Sequence, residues 1–414
     1  MREMKDSGVE WLGEVPSRWK LHRAKRLFKL TNDRGNDDLT LLAATQKHGM
    51  WPQDRLEGVV RVKDDTDLSR FRTVHKNDFV ISLRSFQGGF ERSDFEGVCS
   101  PAYQTFRSIK PIDYQFYKYL FKSPSFIDHM NSLTLGIREG KTIKFEDFAA
   151  QVLPMPPLDE QRRIADYLDE KCDEIDRAVS AAERSIEEYK AYKNSVVFQA
   201  VTKGLDSDVP MADSGPDWIG CAPKHWDVLE QKWLMRKKKS ICEKWQGESV
   251  LSLTIGGVIV RDVESGKGKF PATFDGYQYI DAGNLVLCLF DIDVTPRCVG
   301  LARQDGVISP AYSQFAMLPG AEARFYDYYL RAMDDRKLYL GLTSTMRHSF
   351  TADAFGLIHA LRPPVDEQLR IANYLDAKTA EIDRLVLSKQ AIIADLKAYK
   401  QSLIYEAVTG KREV

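Results

Sequence analysis

The segment that decides the fold is PLDEQRRIADYLDEKCDEIDR at residues 157–177, which returns as PVDEQLRIANYLDAKTAEIDR at residues 364–384. Two further pairs of segments have the same offset of 207 residues. GVEWLGEVPSRWKL at 8–21 matches GPDWIGCAPKHWDV at 215–228, and AVTKG at 200–204 matches AVTGK at 407–411. A shared offset over three separate segments indicates the duplication of a unit of about 205 residues.

A helical period follows the prolines of LPMPPLDEQ and LRPPVDEQ, and we expect Asp159 and Asp366 to be the N-caps. Apolar positions then alternate at spacings of four and three residues over more than four heptads, which is typical of a coiled-coil seam. The predicted seam of the first copy is Leu168, Cys172, Ile175, Val179, Ala182, Ile186, Tyr189, Lys193, Val196 and Ala200. That of the second copy is Leu375, Thr379, Ile382, Val386, Lys389, Ile393, Leu396, Lys400, Leu403 and Ala407.

Each predicted helix is about 45 residues long, or roughly 65 Å at 1.5 Å per residue. The alternative that each helix packs on its own domain would leave much of that length uncovered, because such a domain has only about 145 residues. We therefore expect the two helices to pair. Equivalent units that meet through the same surface are related by a twofold axis, so the pair should be antiparallel, with one globular domain at each end.

The parts before the helices, residues 11–155 and 218–362, combine short alternating strands with turn signals such as Asp305-Gly306. This pattern predicts irregular α/β or mostly β domains, and for the whole chain an α+β fold with an internal pseudo-twofold duplication. The predicted segments are a first globular domain at 1–156, a long helix at 157–204, a linker at 205–216, a second globular domain at 217–363 and a second long helix at 364–414.

Composition alone does not indicate a nucleic-acid partner. Fifty-nine Lys and Arg residues face sixty Asp and Glu residues, for a net charge of −1, whereas a dedicated nucleic-acid binder usually has a basic excess. Local basic clefts remain compatible with that balance. No apolar run is long enough for a signal peptide or a membrane span, so a cytoplasmic protein is expected. The six cysteines form no CxxC pair, which favours reduced structural thiols.

The sequence resembles the specificity subunits of type I restriction-modification systems over essentially its whole length. The resemblance rests on W-x-G-x-x-P-x-x-W opening each half, on RSFQGGFERSDFEGVCSPAY at 84–103 with its weaker echo DGVISPAY at 305–312, and on the two PPxDEQ segments. It implies a non-catalytic subunit that reads a split, asymmetric DNA target. It also implies two modification methyltransferase subunits as partners, and restriction subunits through the complex.

Direct readout of bases needs Arg, Lys, Asn or Gln side chains on loops, with further cations on phosphates. The candidate DNA-binding residues lie in or beside turn signals of both domains. They are Lys47, His48, Arg84, Gln87, Gln104, Arg138, Lys141, Lys144, Arg236, Lys237, Lys238, Arg297, Gln314, Arg347 and His348. Tyr103 and Tyr312 occur in both halves, which favours a structural role, because residues that discriminate between targets should differ.

No catalytic or metal motif is visible. GIREGKT at 136–142 has one residue too few between its glycines for a P-loop, and no HExxH or nucleotide-binding GxGxxG occurs. We therefore expect no cofactor in this chain, with S-adenosylmethionine in the methyltransferase partner and ATP and Mg²⁺ in the restriction partner. The alternatives are a self-sufficient methyltransferase or nuclease with a diverged site, and a coiled-coil adaptor that binds only proteins.

Overall fold

The structure is a computed structural model that describes residues 2–34, 38–45, 48–56, 68–82, 90–133, 143–263, 271–343 and 348–414. The chain divides into two compact units. The first unit contains Met1–Glu183 and Gln390–Val414, and the second contains Arg184–Lys389. Strands and helices mix in both units, which confirms the predicted α+β fold.

The first unit begins with short strands and ends in a long helix. Its strands are β1 (Met4–Asp6), β2 (Glu14–Pro16), β3 (Lys20–Arg23), β4 (Phe28–Thr31), β5 (Leu42–Thr45), β6 (Gly49–Pro52), β7 (Arg72–Val74), β8 (Phe79–Ile81), β9 (Glu91–Arg92), β10 (Gly97–Cys99), β11 (Gln104–Ser108) and β12 (Val152–Met155). Its helices are α1 (Tyr114–Lys122), α2 (Pro124–Ser132), α3 (Phe145–Ala150) and the first part of α4 (Leu158–Lys203).

The largest sheet of the first unit is antiparallel, with the order β4-β11-β8-β9. Smaller antiparallel pairs join β1 to β2, β3 to β12, β5 to β6 and β7 to β10. The main core is aromatic: Phe28, Phe79 and Phe106 from the sheet meet Phe121 and Phe148 from the helices. Complete burial of each phenylalanine contributes about 1.5–3 kcal/mol, so this cluster fixes how the sheet and helices pack.

The second unit repeats this arrangement. Its strands are β13 (Met211–Asp213), β14 (Cys221–Pro223), β15 (Asp227–Glu230), β16 (Met235–Lys238), β17 (Leu251–Thr254), β18 (Gly257–Val260), β19 (Gln278–Ile280), β20 (Leu285–Leu287), β21 (Val299–Leu301), β22 (Gly306–Ile308), β23 (Ser313–Met317) and β24 (His359–Arg362). Its helices are the second part of α4, α5 (Ala323–Asp335), α6 (Ala352–Gly356) and the first part of α7 (Val365–Val408), whose remaining part belongs to the first unit. The sheet order β16-β23-β20-β21 matches that of the first unit element by element.

The W-x-G-x-x-P-x-x-W motif forms the same local structure in both units. Gly13 and Gly220 have φ values of 63° and 70°, a left-handed conformation that favours glycine. The N–H groups of Trp19 and Trp226 donate to the carbonyls of the prolines three residues earlier, at 2.9 Å in each unit. These turns carry both tryptophans into the main cores, where Trp19 is fully buried and Trp226 is 6% exposed.

The repeated Asp-Glu-Gln triplet fastens the long helices to the globular parts. In the first unit, buried Gln161 accepts a hydrogen bond from the Asp113 backbone at 2.8 Å and donates to the Pro156 carbonyl at 2.8 Å. Gln368 does the same in the second unit with Glu322 and Pro363. The preceding glutamates bind the repeated N-terminal segments: Glu160 pairs with Arg2 at 2.6 Å, and Glu367 accepts a hydrogen bond from Trp226 Nε1 at 3.0 Å.

The long helices confirm the predicted period but correct the predicted caps. Helix α4 begins at Leu158 and α7 at Val365, so Asp159 and Asp366 lie inside the first turns. The Pro157 and Pro364 carbonyls accept the first helical bonds, from Gln161 and Gln368, at 2.9 Å. Proline lacks the N–H that a helix start leaves unpaired, so the helix can begin there, and the two carboxylates favour the positive end of the helix dipole.

The predicted seam is confirmed at every position, since each of the twenty residues is buried or half-buried. In the first unit, Leu168 and Ile175 of α4 belong to the same core as Leu403 and Ala407 of α7. In the second unit, Ala200 of α4 shares a core with Leu375 of α7. The helices therefore bury their seams against each other as well as against the globular parts.

Ion pairs connect the two long helices inside each unit, and in the first unit they show the direction of the pairing. In the first unit, Lys400 contacts Asp176 at 2.6 Å and Lys397 contacts Glu183 at 3.5 Å, so α7 runs backwards along α4. In the second unit, Lys193 contacts Asp383 at 2.7 Å. Lys193 and Lys400 are two of the three lysines at predicted seam positions, the third being Lys389. Their carboxylate partners explain how each of these two ammonium groups is accommodated in an otherwise apolar seam.

Candidate nucleic-acid interface

The first candidate surface is the β5–β6 hairpin of the first unit. His48 is exposed where the chain enters β6, and its backbone N–H donates to Thr45 Oγ1 at 2.9 Å. Its ring centre lies 5.0 Å from that of Trp51, which contacts Phe95 edge-on at 5.2 Å. An imidazole held by a packed tryptophan, with its edge in solvent, can donate to a base or a phosphate.

Gln104 and Lys144 come together at the start of α3. Gln104 Oε1 accepts a hydrogen bond from the Phe145 backbone at 2.6 Å, so this amide positions the helix. Lys144 is exposed and immediately precedes Phe145, while its own backbone N–H donates to Asp147 Oδ2 at 3.1 Å. The Lys144 ammonium is therefore presented by a fixed backbone, which suits a contact with a phosphate.

The basic run of the second unit lies on an edge strand. Arg236, Lys237 and Lys238 belong to β16, which ends the four-stranded sheet, and all three are exposed. Lys238 forms an ion pair with Asp281. The strand thus forms a basic ribbon with one charge neutralised locally.

The remaining described candidates of the second unit are held by protein contacts. Gln314 is fully buried, and its amide donates to the Tyr279 carbonyl at 2.6 Å. Arg297 lies 2.8 Å from Asp335 with its side chain 11% exposed, although this ion pair lacks hydrogen-bond alignment. His348 shares a hydrogen bond with Thr343 Oγ1 at 2.9 Å. In this conformation Gln314 cannot reach a base.

Several sequence candidates lie outside the described residues. They are Lys47, Arg84, Gln87, Arg138, Lys141 and Arg347. The P-loop-like segment at 136–142 lies outside them as well. These residues remain predictions.

The repeated Ser-Pro-Ala-Tyr segments form structural turns, as expected from their occurrence in both halves. The Tyr103 and Tyr312 N–H groups donate to the Ser100 and Ser309 carbonyls at 3.0 and 3.2 Å. Both tyrosines pack beside small apolar clusters next to the main sheets. Burial, as its largest cause, raises the pKa of Tyr312.

Sequence reasoning missed an arginine pair in the first unit. Arg72 on β7 lies opposite Arg34 through an isolated bridge, and burial, followed by the charge of Arg34, lowers the pKa of Arg72. Arg72 donates to Asn32 Oδ1 at 2.9 Å, which is a neutral acceptor. Two neighbouring guanidinium groups can attract an anion. The signal was weak because Arg72 lies in a strand that follows a long segment without a clear pattern.

No group of three or more His, Cys, Asp or Glu side chains among the described residues has the geometry of a metal site. No helix of the described ranges combines the length and apolar character that a membrane crossing requires.

The fold and the candidate surfaces define a class of protein: a duplicated α+β protein whose two units share a sheet order but expose different polar side chains. The family model described as "Type I restriction modification DNA specificity domain" matches residues 18–181. This match covers most of the globular part of the first unit and about half of α4, so that part of the chain is similar to the DNA specificity domain of type I restriction-modification systems.

Solved structures show the same fold over nearly the whole chain. One is a chain from "Structural basis underlying complex assembly and conformational transition of the type I R-M system", at 15% identity and a TM-score of 0.71, covering 95% of this chain and 98% of that one. Another is "Crystal structure of HsdS subunit from Thermoanaerobacter tengcongensis", at 13% identity and a TM-score of 0.56, covering 96% and 98%.

Proposed function

We propose that each unit reads one half of a bipartite, asymmetric DNA target. The observation that carries this proposal is the repetition of one sheet order with unlike exposed side chains. His48 and Lys144 are presented in the first unit, and the basic ribbon of β16 in the second. Equivalent frames with different side chains can recognise different base sequences, so the two half-sites need not be related by symmetry.

The long helices would set the number of unread base pairs between the half-sites. Support comes from their continuity over 46 and 44 residues and from the ion pairs that connect them inside each unit. Their exposed faces would dock two methyltransferase subunits, through which restriction subunits join. The solved structure with the highest TM-score above is described in terms of the assembly of a type I system, which supports partners of this kind.

In this proposal the chain has no catalytic role and holds no cofactor of its own. S-adenosylmethionine would be bound by the methyltransferase partner, and ATP with Mg²⁺ by the restriction partner, in the cytoplasm. Purified chain incubated with DNA, Mg²⁺ and S-adenosylmethionine should neither methylate nor cleave the DNA. Methylation or cleavage of the DNA by the purified chain alone would refute the proposal that the partner subunits carry out the chemistry.

The recognition proposal is tested by mapping methylated adenines in the DNA of cells that express this chain with its methyltransferase. The expected motif has two unlike specific parts separated by a run of unspecified bases. A continuous motif, or methylation unaffected by this chain, would contradict the proposal. A protein-only adaptor would leave the motif unchanged when the chain is removed.

A further inference from the structure

The second unit contains a groove of about 790 Å³ between its globular part and its segments of the long helices. One wall is the tip of the β17–β18 hairpin at Ile255 and Gly256, followed by Arg297 and Arg303. Helix α5 and the residue after it supply Arg331, Asp335 and Arg336. The floor is formed by α4 and α7. We call this space the cationic groove.

The cationic groove has a marked excess of positive charge. Its lining contains six cationic side chains and two carboxylates; the cations are Lys190, Lys193, Arg297, Arg303, Arg331 and Arg336, and the carboxylates are Asp335 and Asp383. The whole chain has a net charge of −1, so this excess reflects a local concentration of cations. A concave surface of one charge sign raises the local concentration of oppositely charged ligands.

Some of these cations are neutralised by the protein. Lys190 pairs with Glu187 at 2.8 Å, Lys193 with Asp383 at 2.7 Å, Arg297 with Asp335 at 2.8 Å and Arg331 with Asp327 at 3.3 Å. The Lys193 and Arg297 pairs each join two elements that line the groove, whereas the Lys190 and Arg331 pairs each lie within one helix. They leave the other cations to be explained.

The guanidinium N–H groups of Arg303 and Arg336 donate no hydrogen bond to any described residue. Arg303 is exposed beside β21 and has no hydrogen bond or ion pair with the described part of the chain. The Arg336 guanidinium carbon lies 3.5 Å above the centre of the Phe198 ring, which holds its plane. None of its side-chain N–H groups donates to a described residue. A guanidinium held by its face presents its N–H edge to an acceptor.

The first unit lacks these two charges at the equivalent positions. Counting back from the shared Ser-Pro-Ala-Tyr turn places Asp94 opposite Arg303. Counting on from the Phe-Tyr pair shared by α1 and α5 gives Ile127 for Arg336; Ile127 lies in α2, after α1 has ended at Lys122, whereas α5 continues to Asp335. The repeated fold therefore does not require arginine at either position, which favours a ligand-binding role in the second unit.

We propose that the cationic groove binds backbone phosphates of the DNA duplex beside the half-site read by the second unit, an inference that rests on the proposed function. Planar guanidinium groups match phosphate oxygens in pairs. The groove includes the tip of the hairpin equivalent to the one that presents His48 in the first unit. Phosphate contacts at that position would set the register in which the hairpin meets the bases.

The test uses the full chain with its methyltransferase and two 40-base-pair duplexes, one with the mapped motif and one without it. Binding is measured from about 50 to 200 mM salt for wild type, Arg303→Gln, Arg303→Lys and Arg336→Gln. Lys224→Gln is the control, because Lys224 is exposed in the same unit outside the groove. Arg303→Gln removes no described hydrogen bond, so it keeps the test valid if Arg336→Gln disturbs packing on Phe198.

Each glutamine variant should weaken binding to both duplexes about tenfold near 0.1 M salt, because a charge-assisted hydrogen bond is lost. Each should also reduce the slope of log K against log salt by about one, since one phosphate is no longer neutralised. Arg303→Lys should retain most of the slope. The methylated motif should stay the same.

Three results would overturn the inference. Affinities and slopes equal to those of Lys224→Gln would show that the groove does not bind DNA. Loss of the methyltransferase during purification, with unchanged DNA binding, would assign the groove to an acidic protein segment. A changed second half-site would assign it to base readout. Failure of the proposed function is a separate result, namely wild-type complex that does not prefer the duplex with the motif.

Discussion

Gln161 offers a quantitative test of how the long helices are attached to the globular parts. Replacing Gln161 by leucine keeps the approximate side-chain volume but leaves the Asp113 N–H and the Pro156 carbonyl without their partners. An unsatisfied buried group costs about 1–3 kcal/mol. Asp113 is half-buried, so water replaces part of its bond and we assign it about 1 kcal/mol, whereas buried Pro156 is assigned about 2 kcal/mol.

The sum of about 3 kcal/mol predicts a fall in Tm of roughly 6–12 °C for a unit of about 200 residues. Calorimetry of the full chain would measure it, with hydrogen exchange to show whether amides of α1 lose protection. Gln368→Leu should have a larger effect, because Gln368 also donates to Gly320 at 3.0 Å. The control is Gln401→Leu, an exposed glutamine on α7. Equal Tm values for Gln161→Leu and Gln401→Leu would refute the reasoning.

The remaining predictions concern the thiols and the long helices. Cys221 is the exposed cysteine and the other five are buried, with burial raising the pKa values of Cys99 and Cys298 to about 12. One thiol should therefore react rapidly with a disulfide reagent in the native protein, and all six should react in denaturant. More than one rapidly reacting thiol in the native protein would contradict this prediction. Asp176→Lys should lower the free energy of unfolding of the chain, and adding Lys400→Asp should restore it, because the pair is then reversed. A double-mutant cycle should give a coupling free energy of about 0.5–1 kcal/mol for this partly exposed pair. A coupling free energy of zero would disprove the contact. Deleting residues 183–189 of α4 and 390–396 of α7 together removes about 10 Å from each long helix. This deletion should shorten the unread spacer of the DNA target by about three base pairs and leave both half-sites unchanged. An unchanged spacer would show that the long helices do not set its length.

The long helices were predictable because their signal is local and repeated. A seam with a period of 3.5 residues over more than four heptads survives the presence of Lys193 and Lys400, and the duplication indicates the partner helix. The predicted N-cap, Asp159, lies two residues after Pro157, which precedes the first helical residue Leu158; the prediction favoured Asp159 because aspartate is a strong cap by type. In the structure the Pro157 carbonyl accepts the first hydrogen bond of the helix, so the helix begins before Asp159.

The candidate site was less predictable, because exposure depends on contacts between residues distant in sequence. Gln314 lies beside a turn signal, yet its amide is bound to Tyr279 on another strand. The sequence gives no sign that the Arg297 side chain is paired with Asp335, which is distant in sequence. Arg303 and Arg336 carry no local motif, and only folding brings them to one groove. The type of each side chain indicated whether it could bind DNA. Its contacts in the folded protein determine whether its polar groups are free to do so.

Independent reading by the two units is tested most directly by a domain exchange followed by methylation-site sequencing. Residues 11–155 are replaced by the corresponding segment of a specificity subunit with a different target, and the chain is expressed with its methyltransferase. The account predicts a motif with one new half, while the other half and the spacer length are kept. A change in both halves, or loss of the split pattern in a folded complex, would contradict it.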